Sequence, residues 1–234
     1  MTEAAAQVPR HRPLPWTAAA TLAVVTVLHL GAQLAGGEPV ADGTQVLLMP
    51  LLAAAVWTAT SAPRPRLVRL TLVALGLSWL GDSLPRLAEG DAAFLLLVGF
   101  FLLAQVAYVA AFLPYRGRSV LHRRRPLLVA YVAVVVALVA ACAGGAGPLL
   151  APVLVYGALL GTMAVLSTGV NGLTAAGGAL FLVSDGLIAL DAFADGYSLP
   201  AQGFWVMATY VAAQCLIARG VLRRAGRGDA AWLV

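Results

Sequence analysis

The chain has 234 residues, of which 61% are hydrophobic and 11% are charged, and its mean hydropathy is +0.90. A soluble domain carries roughly 25% charged residues, so this composition excludes an ordinary soluble fold and indicates that lipid surrounds most of the chain. The net charge of +5 comes from 15 arginines and no lysine, mostly in short runs between apolar segments. Such runs are typical of anchors at anionic lipid headgroups, and they argue against a nucleic-acid-binding surface.

Apolar runs of membrane-spanning length follow one another along the chain. A helix needs about 20 apolar residues to cross the roughly 30 Å hydrocarbon core, and clusters of Gly, Pro and Arg separate eight such runs. Predicted helices 1 to 8 are Trp16–Ala35, Gln45–Thr60, Leu67–Leu87, Ala92–Leu113, Pro126–Ala143, Leu149–Thr168, Leu173–Phe193 and Ala201–Leu222. We therefore predict an all-α, polytopic transmembrane bundle of eight helices over residues 16–222, with cytoplasmic tails at 1–15 and 223–234.

The charges between the predicted helices indicate how the bundle is oriented. Of the 15 arginines, 14 fall in the two tails and in alternate connections. The opposite connections hold acidic residues, with Arg86 as their only basic residue: Glu38, Asp42, Glu89, Asp91, Asp191 and Asp195. Because positive charge stays inside, we expect the arginine-rich side and both termini in the cytoplasm, and the bacterial cytoplasmic membrane as the location.

Three His, Asp, Glu or Arg residues lie inside the predicted helices and more than three residues from either end: His29, Asp82 and Asp185. Each costs about 2.5–3.5 kcal/mol on insertion scales, so such residues are functional candidates. Helices 3 and 7 run in the same direction, which predicts both carboxyls at similar depth in the outer half of the bilayer. One protonated and one ionised carboxyl would suit acid–base chemistry. The alternative for the two aspartates is a structural role, in which each links helices through hydrogen bonds. His29 is typical of an interior histidine whose hydrogen bonds are satisfied by other protein groups.

Other polar residues fall at helical spacing beside these carboxyls. Gln105 and Tyr108 share a face of predicted helix 4, and Tyr210 and Gln214 share a face of predicted helix 8. One intramembrane histidine cannot supply the ligand set of a metallohydrolase. The sequence also contains no Gly-x-Ser-x-Gly, P-loop or dinucleotide-binding motif. Carboxyl chemistry is therefore the enzymatic interpretation that the residues favour.

Several short blocks resemble the YhhN family, which includes the mammalian lysoplasmalogenases of the TMEM86 type. The resemblance covers predicted helices 3 to 8, in the following blocks: Gly81-Asp82, Phe94 to Phe112, Pro152 to Tyr156 and on to Met163, Gly178 to Asp185, and Tyr210 to Ala218. One departure concerns Gln105, four residues after Phe101 and three before Tyr108, where the family usually has histidine. If that histidine transfers protons, this chain is expected to be slower or altered in substrate.

The resemblance implies hydrolysis of the vinyl ether bond of lysoplasmalogens to a fatty aldehyde and a glycerophospho-alcohol, with no metal or organic cofactor. Vinyl ethers are cleaved by protonation of the alkene carbon, and water captures the resulting oxocarbenium ion. One carboxylic acid and one carboxylate suit this reaction, as in glycosidases. We expect Asp185 as the acid, because it lies deeper, and Asp82 as the base or stabiliser. The candidates to bind substrate or orient water are Gln105, Tyr108, Tyr156, Ser184, Tyr210 and Gln214.

Two other function classes fit the same residues. A lipid or small-molecule transporter could carry protons on the two aspartates. A non-catalytic membrane protein would be favoured if the aspartates lay far apart with no cavity between them. A membrane lipid is the expected partner under the enzymatic interpretation, and Arg86 is placed to meet its phosphate or to anchor the helix at the headgroups.

Overall fold

The computed structural model describes residues 15–230, apart from the side chains at positions 15, 16, 91 and 227–230. Arg10 and Arg12, which contribute to the predicted orientation, lie outside the described residues. Within this range the chain is helical and contains no strand, which confirms the all-α prediction. The α-helices are α1 Pro15–Ala35, α2 Glu38–Thr58, α3 Arg66–Ser83, α4 Gly90–Phe112, α5 Val120–Arg123, α6 Arg125–Ala146, α7 Leu150–Ser167, α8 Gly172–Phe193 and α9 Gln202–Ala230.

Seven segments of residues 15–230 are long and apolar enough to cross a membrane. One of them, Arg125–Ser167, has 43 residues, which as one straight helix would be about 65 Å long, twice the hydrocarbon thickness. It is divided into α6, a 3₁₀ turn at Gly147–Leu149 and α7, and the two helices pack against each other. Gly147 has φ +47°, a conformation that a side chain disfavours, and this lets the chain turn. The chain is an integral, multi-pass membrane protein.

Two helix boundaries differ from the prediction for identifiable reasons. Helix α2 begins at Glu38 instead of Gln45, because Pro39 stands in the first turn, where it is preorganised for a helix, and Glu38 complements the helix dipole. Asp42, predicted in a connection, therefore lies on α2. Helix α9 continues past Leu222 to Ala230, since Arg and Ala favour a helix and no proline intervenes.

Close packing of α3, α4, α8 and α9 forms the interior. Helix α8 packs along α9, α3 packs along α4, and α3 also contacts α9. Gly177 lies so close to α9 that an added Cβ would be 2.7 Å from the Ala213 carbonyl oxygen. Helix α7 contacts both α4 and α8, whereas α6 lies at the periphery with only Cys142 and Ala146 buried among its described residues.

Candidate active site

Asp82 lies at the end of α3 and accepts hydrogen bonds from two other helices. The Tyr210 hydroxyl of α9 donates to its Oδ2 at 2.9 Å, and the Gln45 amide of α2 donates to its Oδ1 at 3.4 Å. The side chain is buried, with 7% of its surface exposed. Its position depends on a helix end where the chain tightens into the 3₁₀ turn Leu84–Leu87, which contains Pro85.

Asp185 lies on α8 and is bonded to a residue of α7. The Tyr156 hydroxyl donates to its Oδ2 at 2.5 Å. Asp185 is as buried as Asp82, with 7% exposed, so burial does not single out Asp185 as the deeper carboxyl, contrary to the expectation from the sequence. Each carboxyl is paired with a tyrosine from another helix.

An aromatic cluster packs around Tyr210, the tyrosine that is bonded to Asp82. The Phe101 ring of α4 lies edge-on to the Tyr210 ring, with centroids 5.6 Å apart, and edge-on to Phe181 at 6.3 Å. Phe101 also lies directly over the backbone of Gly81, the residue before Asp82. These edge-to-face contacts are favourable and restrict how the rings can turn, so Phe101 helps to fix the Tyr210 hydroxyl at Asp82.

A second set of buried polar groups joins α3, α4 and α9. The Tyr108 hydroxyl donates to the Gln214 Oε1 at 2.5 Å, and the Gln214 amide donates to the Ser78 hydroxyl at 3.1 Å. All three residues have 0% exposure. Ser78 is one turn before Asp82 on the same face of α3. This chain of bonds therefore lies next to the Asp82 pair.

The remaining two sequence candidates have different surroundings. Ser184 precedes Asp185 but turns towards α9, where its hydroxyl donates to the Val206 carbonyl at 3.0 Å, so its observed contact is a link between α8 and α9. Gln105 has 0% exposure and lies near the Tyr156 hydroxyl. Neither its amide nitrogen nor its amide oxygen has a hydrogen-bond partner among the described residues.

A narrow cavity leads to Asp185 between α4, α7 and α8. Its volume is about 60 Å³, enough for a few water molecules. Its lining is apolar except for Tyr156 and Asp185, and it extends to Phe94 near the start of α4 and Phe193 at the end of α8. The rings of these two phenylalanines meet edge-to-face at 5.5 Å. A lipid chain would have to displace side chains such as these to enter.

The approach to Asp82 is polar. Arg86 forms an ion pair with Asp42 and donates to the Gln45 Oε1 at 2.7 Å and to the Asp82 carbonyl at 3.2 Å. The Asp42 side chain is 65% exposed, so this group of residues extends from the surface to the buried carboxyl. Asp82 is thus approached through polar side chains, whereas Asp185 is approached through an apolar cavity.

Comparison with known proteins gives the chain its family. The YhhN family model matches residues 40–221, from α2 to α9. This chain belongs to the YhhN family.

The curated relatives carry one name. Proteins named lysoplasmalogenase from Mycobacterium bovis and Mycobacterium tuberculosis are each 32% identical over 221 residues, covering 88% of this chain and 80% of theirs. The mouse protein named lysoplasmalogenase TMEM86B is 41% identical over 75 residues, 32% of each chain. No solved structure gives a significant match.

The YhhN match includes both carboxyls and their tyrosines, but it leaves out α1 and with it His29. The His29 ring has 0% exposure, and its Nδ1 lies 3.1 Å from the Ala41 carbonyl and 3.0 Å from the Thr44 hydroxyl of α2. These contacts support the interpretation of His29 as an interior group that joins α1 to α2.

Sequence reasoning missed Gln45, Ser78 and Phe101 as members of this site. Gln45 was predicted at the start of helix 2, and an amide in an apolar run is a signal that could have marked it. Ser78 could have been found from its four-residue spacing to Asp82. Phe101 offered no such signal, because one phenylalanine among many apolar residues becomes informative only when its packing against Gly81 is known.

Proposed function

We propose that this YhhN-family chain is an intramembrane hydrolase of the lysoplasmalogenase type, which cleaves the vinyl ether bond of a lysophospholipid. The observation that carries the proposal is the pair of buried carboxyls, each of which accepts a hydrogen bond from a tyrosine of another helix, with Asp185 lining an apolar cavity. The names of the curated relatives support the same activity. The substrate and products are those that such an activity requires: a lysoplasmalogen, a fatty aldehyde and a glycerophospho-alcohol.

The different surroundings of the two carboxyls support a division of roles. Asp185 faces apolar side chains, where the alkenyl chain of a lipid can lie, so we assign it as the acid that protonates the second alkenyl carbon. Asp82 lies on the polar side, where water and the headgroup can approach. We assign it as the base that receives a proton from the attacking water.

The steps balance without a cofactor. The Asp185 proton forms a C–H bond, and the alkene electron pair moves to leave an oxocarbenium ion. Water forms a C–O bond to that ion and gives one proton to Asp82. The hemiacetal then collapses: its hydroxyl proton returns to Asp185, and the C–O bond to the glycerol oxygen breaks. Asp82 gives its proton to that oxygen, so the aldehyde and the alcohol leave and both carboxyls regain their starting states. The tyrosine hydroxyls of residues 156 and 210 orient the two carboxyls during these steps.

The proposed membrane arrangement has eight spans with both termini in the cytoplasm. Division of the 43-residue segment into the packed helices α6 and α7 supports eight rather than seven. In this arrangement α3 and α8 run outward, and both carboxyls lie in the outer half of the membrane. The bacterial cytoplasmic membrane is the proposed location.

The test is aldehyde release from a defined lysoplasmalogen by the purified protein and its Asp82→Asn and Asp185→Asn variants. General acid–base catalysis contributes typically 10²–10⁴-fold, so each variant should lose activity by at least that order while eluting as a folded protein in detergent. Asp191→Asn is the matched control, since Asp191 is an exposed carboxyl on α8, and it should keep full activity. Full activity in both site variants would overturn the mechanism.

A further inference from the structure

Gln105 differs from every other polar side chain of the candidate site. Among the described residues it is the only one with two buried polar atoms that lack a hydrogen-bond partner; His29 and Ser83 each leave one. A buried amide without partners costs free energy, so such a group indicates a binding role. The amide offers two donors and an acceptor to a small polar molecule.

Gln105 lies near one tyrosine–aspartate pair, one helical turn after Phe101, which contacts Tyr210 of the other pair. On one side is the Tyr156 hydroxyl, which donates to Asp185. One turn further along α4 is Tyr108, which donates to Gln214. Gln214 in turn is close to Tyr210, the partner of Asp82. A molecule held by Gln105 would therefore lie beside the Tyr156 hydroxyl, on the face of α4 that also packs against the tyrosine of the Asp82 pair.

The other polar side chains of the site already donate to protein groups. The hydroxyls of Tyr156 and Tyr210 donate to the carboxyls, and those of Tyr108 and Ser184 donate to Gln214 and Val206. The Gln214 amide donates to Ser78. Among the described residues, Gln105 is thus the side chain of the site whose amide nitrogen and oxygen both lack a hydrogen-bond partner, so its amide remains available to a reactant.

We infer that the Gln105 amide binds the water molecule that attacks the oxocarbenium carbon. This inference rests on the proposed function. The amide oxygen accepts one O–H of the water and so turns an oxygen lone pair towards the carbon. As the C–O bond forms, the π electrons of the C=O⁺ bond move to the ether oxygen, and the second water proton passes to the Asp82 carboxylate.

The test measures which nucleophile captures the oxocarbenium ion. In water containing methanol, capture by water gives aldehyde, whereas capture by methanol gives a mixed acetal, and mass spectrometry quantifies both. In the native protein, the Gln105 site should favour capture of the oxocarbenium ion by water over capture by methanol. Gln105→Leu replaces the amide side chain with an apolar side chain of similar size. Its kcat should fall about tenfold with KM little changed, and its ratio of acetal to aldehyde should rise severalfold.

A matched control separates loss of the water site from general damage. Thr71 on α3 is equally buried, and within the described part of the chain its hydroxyl bonds only to the Leu67 carbonyl of its own helix, at 2.9 Å. Thr71→Val should keep the native ratio of acetal to aldehyde. Where Gln105→Leu is unfolded or too slow to measure, Gln105→Asn, which withdraws the amide by one methylene, should show the same rise in the ratio.

Two results would overturn the inference, and they can be told apart. An unchanged ratio of acetal to aldehyde in a folded, active Gln105 variant would remove the water site and leave the proposed hydrolase intact. If the native protein releases no aldehyde, both the water site and the proposed hydrolase activity are overturned. A purely structural role for Gln105 predicts lower thermal stability with an unchanged ratio, so the ratio is the readout that decides.

Discussion

Each carboxyl accepts a hydrogen bond from its own tyrosine, but the two carboxyls differ in the total number of hydrogen bonds that they accept. Asp82 accepts from Tyr210 and Gln45, whereas Asp185 accepts from Tyr156 alone among the side-chain bonds of the described residues. A hydrogen bond to a charged group contributes about 1.5–3 kcal/mol. The orientation of Asp185 should therefore depend more strongly on its one tyrosine.

Removing the Tyr156 hydroxyl and the Tyr210 hydroxyl in separate variants should reveal this difference. We expect Tyr156→Phe to lower kcat for aldehyde release by roughly 10–100-fold, because the Tyr156 hydroxyl stabilises the negative charge that develops on Asp185 as it gives up its proton. Tyr210→Phe should have a smaller effect, because Gln45 still holds Asp82. Steady-state kinetics on a defined lysoplasmalogen provide the comparison.

Tyr131→Phe serves as the control for these variants. Tyr131 is a half-buried residue of α6 that lines apolar grooves away from the carboxyls, so its loss of a hydroxyl should leave kcat unchanged. Equal and full activity in Tyr156→Phe and Tyr210→Phe would show that the tyrosines do not position the carboxyls.

The site residues that the sequence could reveal are those that conflict with their surroundings. Asp82 and Asp185 were predicted because a carboxyl in an apolar run is costly. Helical spacing placed Tyr210 and Gln214 on one face, but it could not say that Gln214 bonds to Tyr108 across the bundle. Such partners depend on how α4 meets α9, which no local pattern encodes.

The packing of α3 on α4 depends on a glycine beside the site. A Cβ at Gly81 would lie 2.7 Å from the Phe101 ring, a distance that forces the ring or the helix to move. Phe101 also contacts Tyr210. A shift here would therefore be transmitted to the hydroxyl that holds Asp82.

Gly81→Ala should lower both stability and activity. Overpacking costs typically 1–3 kcal/mol, which should appear as a reduced Tm in detergent, together with slower aldehyde release. Gly76→Ala is the matched control, because Gly76 lies on the same helix with nothing within 4 Å of an added Cβ. Alanine is the better helix former, so Gly76→Ala should keep or raise the Tm. A Tm equal to the native one in Gly81→Ala would contradict the close packing.

Helix positions were largely predictable, and the differences lie at the ends. Apolar length located the eight long helices, but it could not show that α2 begins with Glu38 and Pro39, since charge and proline are read first as loop signals. The short α5 was missed because four residues carry no periodicity. The continuation of α9 beyond Leu222 was missed because its last turns are polar.

At the scale of the whole molecule, the proposed topology can be tested at two connections. Gly117 lies in the exposed arginine-rich segment between α4 and α5, and Asp195 lies in the exposed connection between α8 and α9. The positive-inside rule places the first in the cytoplasm and the second outside. The two positions therefore give opposite expectations in one experiment.

Single cysteines at these positions should react differently with a membrane-impermeant maleimide in intact bacterial cells. Asp195→Cys should be labelled directly, whereas Gly117→Cys should be labelled only after permeabilisation. Both are made in a background with Cys142 and Cys215 replaced by alanine, since these are the native free thiols. The reverse labelling pattern would invert the proposed orientation and place the carboxyls in the cytoplasmic half.

The cavity beside Asp185 offers a released aldehyde only apolar side chains, a phenol and a carboxyl. Aldehydes condense with primary amines to form Schiff bases, and lysine is the side chain that supplies such an amine. Every one of the 15 basic side chains in this sequence is an arginine. Under the proposed reaction, the electrophilic product would thus leave without meeting a side-chain amine of the protein that made it.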